Sequence, residues 1–543
     1  MRRPSLVAAL VGAVVAVASA AGTSAGTPAR GGTVVIAIES TQEWACLRFF
    51  DSACTGSRGS LVAARNLVLQ GAFELRPGFA FRPNLVSGMD VLARSPLTVR
   101  YRIRREARWS DRTPFTASDV LFTLDVCRSA GRCADVQSAK AVDEKTVIAE
   151  FRTPFPYQDA EPFFPAHALR GVDPTIIWGD RIDNPRTGAA IGSGPFLVED
   201  WKRGKELVLR RNRAYWGPHP AYVERVVFRF FRAEDLAGAI RRGDADLLMG
   251  GSSVQRSAIV GLRRRPPDGV RIVSRPGVAW EHLDFRLARG GHPALRRAVV
   301  RRAIAFGLDR VAIAREAARL AGEKRVRAIE PLNSAVVLTN SRYYRANWSD
   351  YRHRPALARR LLEQAGCRRS AADGIYSCAG ERLALRLFTT AESTPRRRRA
   401  ELIQAQLRAI GVEVVPQYAP LGTLLGQVLP AGDWDLALFA WEPTDPQYVR
   451  FLDAIWGCGG LENWTGYCRS SVTDDLRASA STVNADERAR LLHRADRRLA
   501  REVPGIPLFQ ARSLSAVSAR LHGFVPNPGG DPTWNAEDWS VER

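Results

Sequence analysis

The sequence lacks an uncharged apolar run of the roughly 20 residues that a membrane-spanning helix requires. The apolar run at residues 6–17 is too short, follows Arg2 and Arg3, and leads into the small residues 18–20. A basic start, a short apolar run and a small-residue cleavage site are the parts of a secretory signal peptide. We therefore predict that residues 1–20 are a signal peptide, that residues 21–31 are a flexible leader, and that the mature chain is exported.

Cysteine is absent before Cys46, so no lipid-anchoring cysteine follows the predicted signal peptide. The sequence therefore favours a periplasmic, cell-surface or extracellular protein without a lipoprotein anchor. The eight cysteines form four sequence-local couples: Cys46 with Cys54, Cys127 with Cys133, Cys367 with Cys378, and Cys458 with Cys468. Exported chains favour disulfides, and the tight Cys-x-x-Cys pairs of a zinc site are missing. We predict one disulfide for each couple, although other pairings are possible.

Lysine is scarce and supplies only five of the 79 basic residues. Arginine supplies the rest and gives the chain a formal net charge of +23. A basic excess of this size can indicate binding to nucleic acid or to anionic surfaces. However, the arginine runs at 263–265 and 396–399 are far apart and lack the interleaved aromatic residues that stack on bases. The sequence favours a solvated basic surface and no nucleic-acid partner. Attachment to an anionic envelope polymer stays open as an alternative.

The usual signatures of catalysis and metal binding are also missing. The seven histidines form no close pair, no H-E-x-x-H motif occurs, and no Walker A sequence follows a strand. We therefore predict no metal site, no cofactor and no enzymatic activity. A secreted hydrolase remains the rival class, because a catalytic triad can assemble from distant positions.

The stretch at 192–217 is the most informative local pattern. Gly192, Ser193, Gly194 and Pro195 form a turn in which the glycines can adopt a positive φ and proline then fixes the chain. Residues 196–201 and 206–210 follow as two short strands of a hairpin. This pattern predicts a sharp re-entry into a sheet, and we consider it as a hinge or fold marker.

Strand and helix patterns alternate along the rest of the chain. Residues 33–38 and 433–441 predict buried strands, and residues 485–503 predict a long basic helix. Thr116 is a candidate helix N-cap with Asp119 at the N3 position. Strands alternating with helices indicate α/β lobes, and 543 residues exceed the size of a single core.

Several segments together resemble the extracellular solute-binding proteins of family 5, the peptide- and nickel-binding receptors of ABC importers. The first is Ile103-Arg104, then Trp109-Ser110-Asp111 and Pro114-Phe115-Thr116-Ala117, with Arg112 where the family has glycine. The other matching segments follow in the family's order at 192–196, 212–216, 243–247, 301–310 and 358–366.

The resemblance implies an α/β fold with a two-lobe, periplasmic-binding-protein-like clamshell of type II that carries an extra inserted domain. The implied first lobe comprises residues 32–75, 190–278 and 505–543. The inserted domain comprises residues 76–189, and the second lobe comprises residues 279–504.

The resemblance also implies the function of a substrate-binding subunit. It would act as a monomer, capture an oligopeptide-like solute between its lobes, and deliver it to an ABC permease with its ATPase subunits. Nickel chelates and sugars remain alternative ligands on the same fold.

Candidate ligand-binding residues lie mainly in the segment 441–448, which follows a buried strand. In peptide-binding relatives an aspartate of this loop pairs with the amino terminus of the ligand, but here the loop is shorter. The candidate anion is therefore Asp445 or Glu442, and Asp445 is equally consistent with a turn before Pro446. The remaining candidates are aromatic residues that would line the cavity or pack in the core: Trp44, Trp280, Trp441, Tyr448 and Trp464.

Overall fold

The structure is a computed structural model that describes residues 29–40, 44, 58–129, 133, 135–152, 162–173, 182–323, 329–442 and 449–542. The predicted signal peptide, most of the leader and the Cys46–Cys54 couple lie outside these residues. In the part of the chain that is described, no helix has both the length and the apolar character needed to cross a membrane.

The strands are β1 (Thr33–Glu39), β2 (Phe73–Arg76), β3 (Ala80–Pro83), β4 (Val86–Arg94), β5 (Leu97–Ile103), β6 (Val136–Asp143), β7 (Thr146–Phe151), β8 (Phe196–Lys202), β9 (Glu206–Arg211), β10 (Arg225–Phe231), β11 (Leu247–Met249), β12 (Val270–Phe285), β13 (Arg368–Arg369), β14 (Tyr376–Cys378), β15 (Glu381–Arg382), β16 (Ala384–Thr390), β17 (Glu413–Ala419), β18 (Leu436–Trp441), β19 (Gly505–Ser518), β20 (Leu521–His522) and β21 (Ser540–Val541).

The helices are α1 (Arg58–Val68), α2 (Ala117–Ser129), α3 (Ala166–Leu169), α4 (Leu236–Arg242), α5 (Ser253–Arg264), α6 (Ala298–Gly307), α7 (Arg310–Leu320), α8 (Pro355–Gln364), α9 (Thr394–Ala409), α10 (Leu421–Thr423), α11 (Leu429–Ala431), α12 (Val449–Trp456), α13 (Ser470–Ser481) and α14 (Ala485–Glu502). A π-helical turn (Leu424–Val428) joins α10 to α11.

One mixed sheet runs through the described molecule, in the order β17-β16-β18-β12-β19-β11-β1-β10-β9-β8. Its two longest strands, β12 and β19, are antiparallel partners at its centre. The first part of β12 pairs with the last part of β19, from Val270 opposite Ser518 to Pro276 opposite Arg512. Pairing then becomes irregular and resumes at Trp280 opposite Gln510. The two strands therefore connect the two halves of the molecule.

The cores on either side of this irregularity are separate. Trp280 and Phe285 of β12 and Ile506 of β19 belong to the larger core, together with α6 to α9 and α14. Leu514 and Ala516 of β19 belong to a core with α4 and α5. The structure thus has two lobes, consistent with the α/β clamshell expected, and β12 and β19 cross between them.

Gly277 lies at the crossing. A Cβ added there would be 2.9 Å from the carbonyl oxygen of Ala511 and 3.2 Å from the backbone nitrogen of Ser513. Because real Cβ atoms do not approach backbone this closely, the two crossing strands can come together here only around glycine.

The turn at 192–195 packs against the end of α1. Gly192 and Gly194 do not adopt a positive φ, so that part of the prediction is wrong. Their need for glycine comes from close packing, since a Cβ on Gly194 would be 2.3 Å from the carbonyl oxygen of Leu67. Ser193 Oγ accepts a hydrogen bond from the Gln70 backbone at 2.9 Å. The turn is therefore pressed against the end of α1 inside the first lobe, away from β12 and β19.

A separate antiparallel sheet, in the order β4-β5-β7-β6, lies within the region expected to be inserted. The helix α2 beside it begins next to the predicted N-cap. Asp119 Oδ2 accepts a hydrogen bond from the Thr116 backbone nitrogen at 2.8 Å, and its Oδ1 accepts one from Ala166 at 2.8 Å. One buried carboxylate therefore caps α2 and ties it to α3, and its burial raises the pKa of Asp119.

Three disulfides lie within the described residues: Cys127–Cys133, Cys367–Cys378 and Cys458–Cys468. They are three of the four pairings expected from the sequence. Each closes a short local loop and does not join distant elements.

Candidate functional site

The carboxyl ends of parallel strands from both lobes meet at the crossing. In the first lobe β1 is parallel to β10 and β11, and β11 is antiparallel to the outgoing end of β19. In the second lobe β16 is parallel to β17 and β18, and β18 is antiparallel to β12 as it enters that lobe. Both sets therefore point toward the crossing. Ligands of open α/β sheets bind at such strand ends, so the cleft between the lobes is the candidate site.

Aromatic rings form the second-lobe wall of the cleft. Trp441 is the last residue of β18, and its cross-strand partner is Trp280 of β12. Trp464 stacks on Trp441, with ring centroids 5.3 Å apart and planes 26° apart. The rings that contact these tryptophans complete what we call the aromatic cluster: Trp280, His282, Phe439, Trp441, Phe451 and Trp464.

The structure therefore brings together three of the tryptophans that the sequence singled out. Their convergence follows from strand pairing for Trp280 and Trp441. Trp464 arrives from a loop closed by the Cys458–Cys468 disulfide. The Trp464 carbonyl oxygen accepts a hydrogen bond from Arg286 Nη1 at 2.6 Å, which fixes the loop to the end of β12.

Trp44 lies elsewhere. Its side chain is fully buried, with ring centroids 5.6 Å from Phe228 and 5.4 Å from Phe230. Its Nε1 donates a hydrogen bond to Ser60 Oγ at 3.1 Å. Of the two possibilities weighed for Trp44, the structure places it in the core of the first lobe, because two β10 phenylalanines surround it.

His282 is the buried centre of the aromatic cluster. Its ring is parallel to that of Trp441, at 5.8 Å and 10°, and perpendicular to that of Phe439, at 4.4 Å and 72°. Its Nδ1 lies 2.9 Å from Asp284 Oδ1 on the same strand. The carboxylate thereby fixes the orientation of the imidazole, which in turn holds the tryptophans. No group of three or more metal-ligating side chains was found among the described residues.

A small cavity of about 10 Å³ adjoins the cluster between Trp280, Phe451 and the segment 332–338. This volume accommodates a group about the size of one water molecule. Asp496 holds the wall segment in place, because its Oδ1 accepts hydrogen bonds from the Ala335 backbone and from Trp348 Nε1, both at 2.9 Å. Complete burial raises the pKa of Asp496.

Of the two candidate acids, Glu442 is described and Asp445 is not; Tyr448 also lies outside the described residues. Glu442 directly follows Trp441 and is solvent-exposed at the cleft end of β18. A carboxylate in this position is accessible to a ligand that contacts the aromatic cluster.

Sequence reasoning missed the arginines that pack beside the cleft ends of these strands. The sequence predicts that the run 396–399 is part of a solvated basic surface, but Arg399 is buried and its Nε donates to Glu281 Oε1 at 2.8 Å. Arg396 lies one helical turn earlier on α9, with its Nε 3.6 Å from the same oxygen. Its Nη1 donates to Thr390 Oγ1 at 3.2 Å, at the cleft end of β16. The i,i+3 spacing of these two arginines was the available signal, since it places them on one helix face.

The second arginine run, at 263–265, is also only partly solvated. Arg263 of α5 in the first lobe binds the carboxylate of Glu323, which follows α7 in the second lobe, through both terminal nitrogens. Ser274 Oγ donates to the same carboxylate at 2.9 Å. This ion pair joins the lobes beside the crossing.

Comparison with known proteins agrees with this architecture. Residues 80–463 match the family described as bacterial extracellular solute-binding proteins, family 5 middle. The chain is 25% identical over 488 residues to the oligopeptide-binding protein OppA of Mycobacterium tuberculosis, an alignment that covers 86% of this chain and 79% of that protein.

Two solved structures have a similar fold. One is the periplasmic EDTA-binding protein EppA, with a TM-score of 0.75, 20% identity, and coverage of 95% of this chain and 98% of that one. The other is the oligopeptide-binding protein AppA of Bacillus subtilis in complex with a nonapeptide, with a TM-score of 0.63, 19% identity, and coverage of 95% and 100%.

Proposed function

The chain belongs to family 5 of the bacterial extracellular solute-binding proteins, and we propose that it captures a small peptide between its lobes and delivers it to an ABC permease. The observation that carries the proposal is the aromatic cluster at the point where parallel strands of both lobes end. The name of the mycobacterial relative, an oligopeptide-binding protein, supports a peptide over the alternative ligands.

The proposed mode of binding uses the two features of the second-lobe wall. The flat rings of Trp441 and Trp464 would bury apolar parts of the peptide, since tryptophan offers a large rigid contact area. The Glu442 carboxylate would accept charge-assisted hydrogen bonds from the peptide's amino terminus. Bending of β12 and β19 about Gly277 would close the lobes over the ligand.

Titration calorimetry with the tripeptide Ala-Ala-Ala tests this proposal. We expect a dissociation constant between tens of nanomolar and micromolar, or about −10 to −8 kcal/mol. A hydrogen bond to a charged group contributes about 1.5–3 kcal/mol, so Glu442→Gln should weaken binding roughly 10-fold to 100-fold. N-acetylated Ala-Ala-Ala is the matched control, because it lacks the ammonium group and should bind both proteins equally.

Trp464→Ala should weaken both peptides, since it removes apolar contact and not charge. If Glu442→Gln affects the free and acetylated peptides alike, the proposed role of Glu442 is wrong. If no peptide binds or raises the midpoint of thermal unfolding, peptide capture itself is wrong.

We further propose that the chain acts as a monomer, has no catalytic activity and does not bind nucleic acid. Mass spectrometry of the peptide after prolonged incubation tests the rival hydrolase, which would leave cleaved products. Mass spectrometry of small molecules that co-purify with the protein tests the alternative ligands, nickel chelates and sugars.

A further inference from the structure

Arg256 lies on the first-lobe side of the same cleft. It is in the first turn of α5, which begins directly after β11 at the cleft end of that strand. Ser252 caps this helix by accepting a hydrogen bond from the Gln255 backbone at 3.0 Å. The Ser252 hydroxyl also donates to Glu39 Oε2 at 2.7 Å, at the cleft end of β1. The start of α5 is therefore fixed to two strand ends that face the second lobe.

The guanidinium of Arg256 has unused hydrogen-bonding capacity. Its Nη1 donates to the carbonyl oxygen of Arg512 at 2.7 Å, at the crossing of the lobes. Among the described residues it makes no salt bridge, whereas Arg263 on the same helix binds Glu323 through two nitrogens. A guanidinium presents five N–H donors in a planar fork that matches a carboxylate. Arg256 thus retains donors at a fixed position.

A buried carboxylate at the crossing is already engaged by other arginines. Arg263 on the same helix and Arg512 at the crossing share the carboxylate of Glu323. Burial lowers the pKa of Arg256, and the carboxylate that opposes this shift is Glu442, from the other lobe. The hydrogen bond to the Arg512 carbonyl oxygen holds Arg256 beside the crossing. Glu442, the acid that we assign to the ligand's amino group, interacts with it electrostatically from the second lobe.

We propose that Arg256 is a specificity-determining residue that binds a carboxylate of the captured solute, so that the preferred ligands are acidic or zwitterionic. This inference rests on the proposed function, which places the ligand between the lobes. It adds the chemical class of the ligand. The ligand would bridge the lobes, with its ammonium on Glu442 and a carboxylate on Arg256.

Two pairs of peptides test the proposal, because the members of each pair differ by one carboxylate. The pairs are Ala-Glu-Ala with Ala-Gln-Ala, and Ala-Ala-Ala with its carboxyl-terminal amide. We expect wild-type protein to prefer the carboxylate member of at least one pair about tenfold or more, as a charge-assisted hydrogen bond of about 1.5–3 kcal/mol implies. Arg256→Gln should abolish that preference, and Arg256→Lys should retain part of it.

Arg241→Gln is the matched control, since Arg241 is an exposed arginine on α4 of the same lobe. It should leave both pairs unchanged. The proposal is overturned if wild type shows no preference in either pair, if a preference survives in Arg256→Gln, or if that variant weakens both members equally. The last result would indicate a structural role at the crossing.

EDTA is a second probe, which separates failure of this inference from failure of peptide capture. EDTA carries several carboxylates and is not a peptide. If no peptide binds but EDTA stabilises the wild-type protein and not Arg256→Gln, the carboxylate site stands while peptide capture is wrong. If neither probe distinguishes the two proteins, the inference is wrong.

Discussion

Arg112 carries its side chain at a backbone φ of 72°, in the turn that follows Asp111. This left-handed region costs an L-residue roughly 1–2 kcal/mol, a cost that glycine at the same position would avoid. Glycine is also more flexible in the unfolded chain, which reduces the stabilisation gained from the substitution by about 0.5–1 kcal/mol. The Arg112 side chain is exposed, and within the part of the chain that the structure describes it makes no hydrogen bond that would be lost. Arg112→Gly should therefore raise the free energy of unfolding by about 0.5–1 kcal/mol, measured by urea denaturation.

Arg112→Ala provides the control for this prediction. Alanine removes the same side chain but keeps the Cβ that disfavours a positive φ, so no stabilisation is expected. Equal stabilisation by both substitutions would show that the arginine side chain, and not the backbone conformation, is unfavourable.

At the scale of single residues, the sequence indicated which residue types form the site, but not always where each of these residues lies in the fold. Trp280 and Trp441 were candidates as large flat rings, and strand pairing makes them neighbours. Trp44 had the same properties, yet it packs between Phe228 and Phe230 because of a fold that its local sequence does not encode. Arg256 was missed altogether, because a lone arginine at a helix start has no motif.

The carboxyl-terminal segment is an element whose stability should depend on pH. It packs on the first lobe through Trp539, which is fully buried, and through Thr533 Oγ1, which donates to the Ala63 carbonyl oxygen at 2.9 Å. Burial raises the pKa of Glu537 in this segment from 4.5 to about 8, and the carboxylates of Asp538 and Glu74 add to the shift.

The direction of the pH effect follows from this raised pKa. Between pH 4.5 and 8 the folded protein holds a proton on Glu537 that the unfolded chain releases. The stability that this bound proton contributes therefore declines as the pH rises across this range, and it is lost above about pH 8. The midpoint of thermal unfolding should be higher at pH 6 than at pH 9. Burial also raises the pKa of Asp531, but only to about 6, so Asp531 contributes little to the difference between pH 6 and pH 9.

Glu537→Gln should remove most of the difference between pH 6 and pH 9, because the amide does not titrate. Glu401→Gln, on the exposed side of α9, is the control and should retain the wild-type difference. An unchanged difference in Glu537→Gln would contradict the assignment of the effect to this carboxyl group.

Most elements were predictable where periodicity and capping agree, and less so where long strands cross the lobes. The helix predicted at 485–503 is α14, which ends one residue earlier because Val503 adopts a φ of 51°. The strand β12 was not anticipated as one element. Pro276 and Gly277 interrupt it, and such residues usually mark a break in a strand. In this fold they mark the place where one strand passes between two lobes.

The whole molecule was predictable through its resemblance to a family, whereas the contacts that set the angle between the lobes were not. The parallel strand ends and the crossing place the cleft, and the lobes meet beside it through the Arg263–Glu323 ion pair. Glu323 is 8% exposed, and it also accepts a hydrogen bond from Ser274 Oγ at 2.9 Å. Removing one partner of a buried pair leaves an uncompensated charge, which costs about 3–5 kcal/mol.

Glu323→Gln should therefore disfavour the present lobe arrangement and shift the ligand-free protein toward more open forms. Small-angle X-ray scattering should show a larger radius of gyration, and the dissociation constant for Ala-Ala-Ala should rise because closure becomes less favourable. Asp475→Asn is the control, since Asp475 pairs with Arg494 and Arg498 wholly within the second lobe. It should lower the free energy of unfolding without changing the radius of gyration. If Glu323→Gln behaves in the same way, the ion pair stabilises the fold but does not set the angle between the lobes.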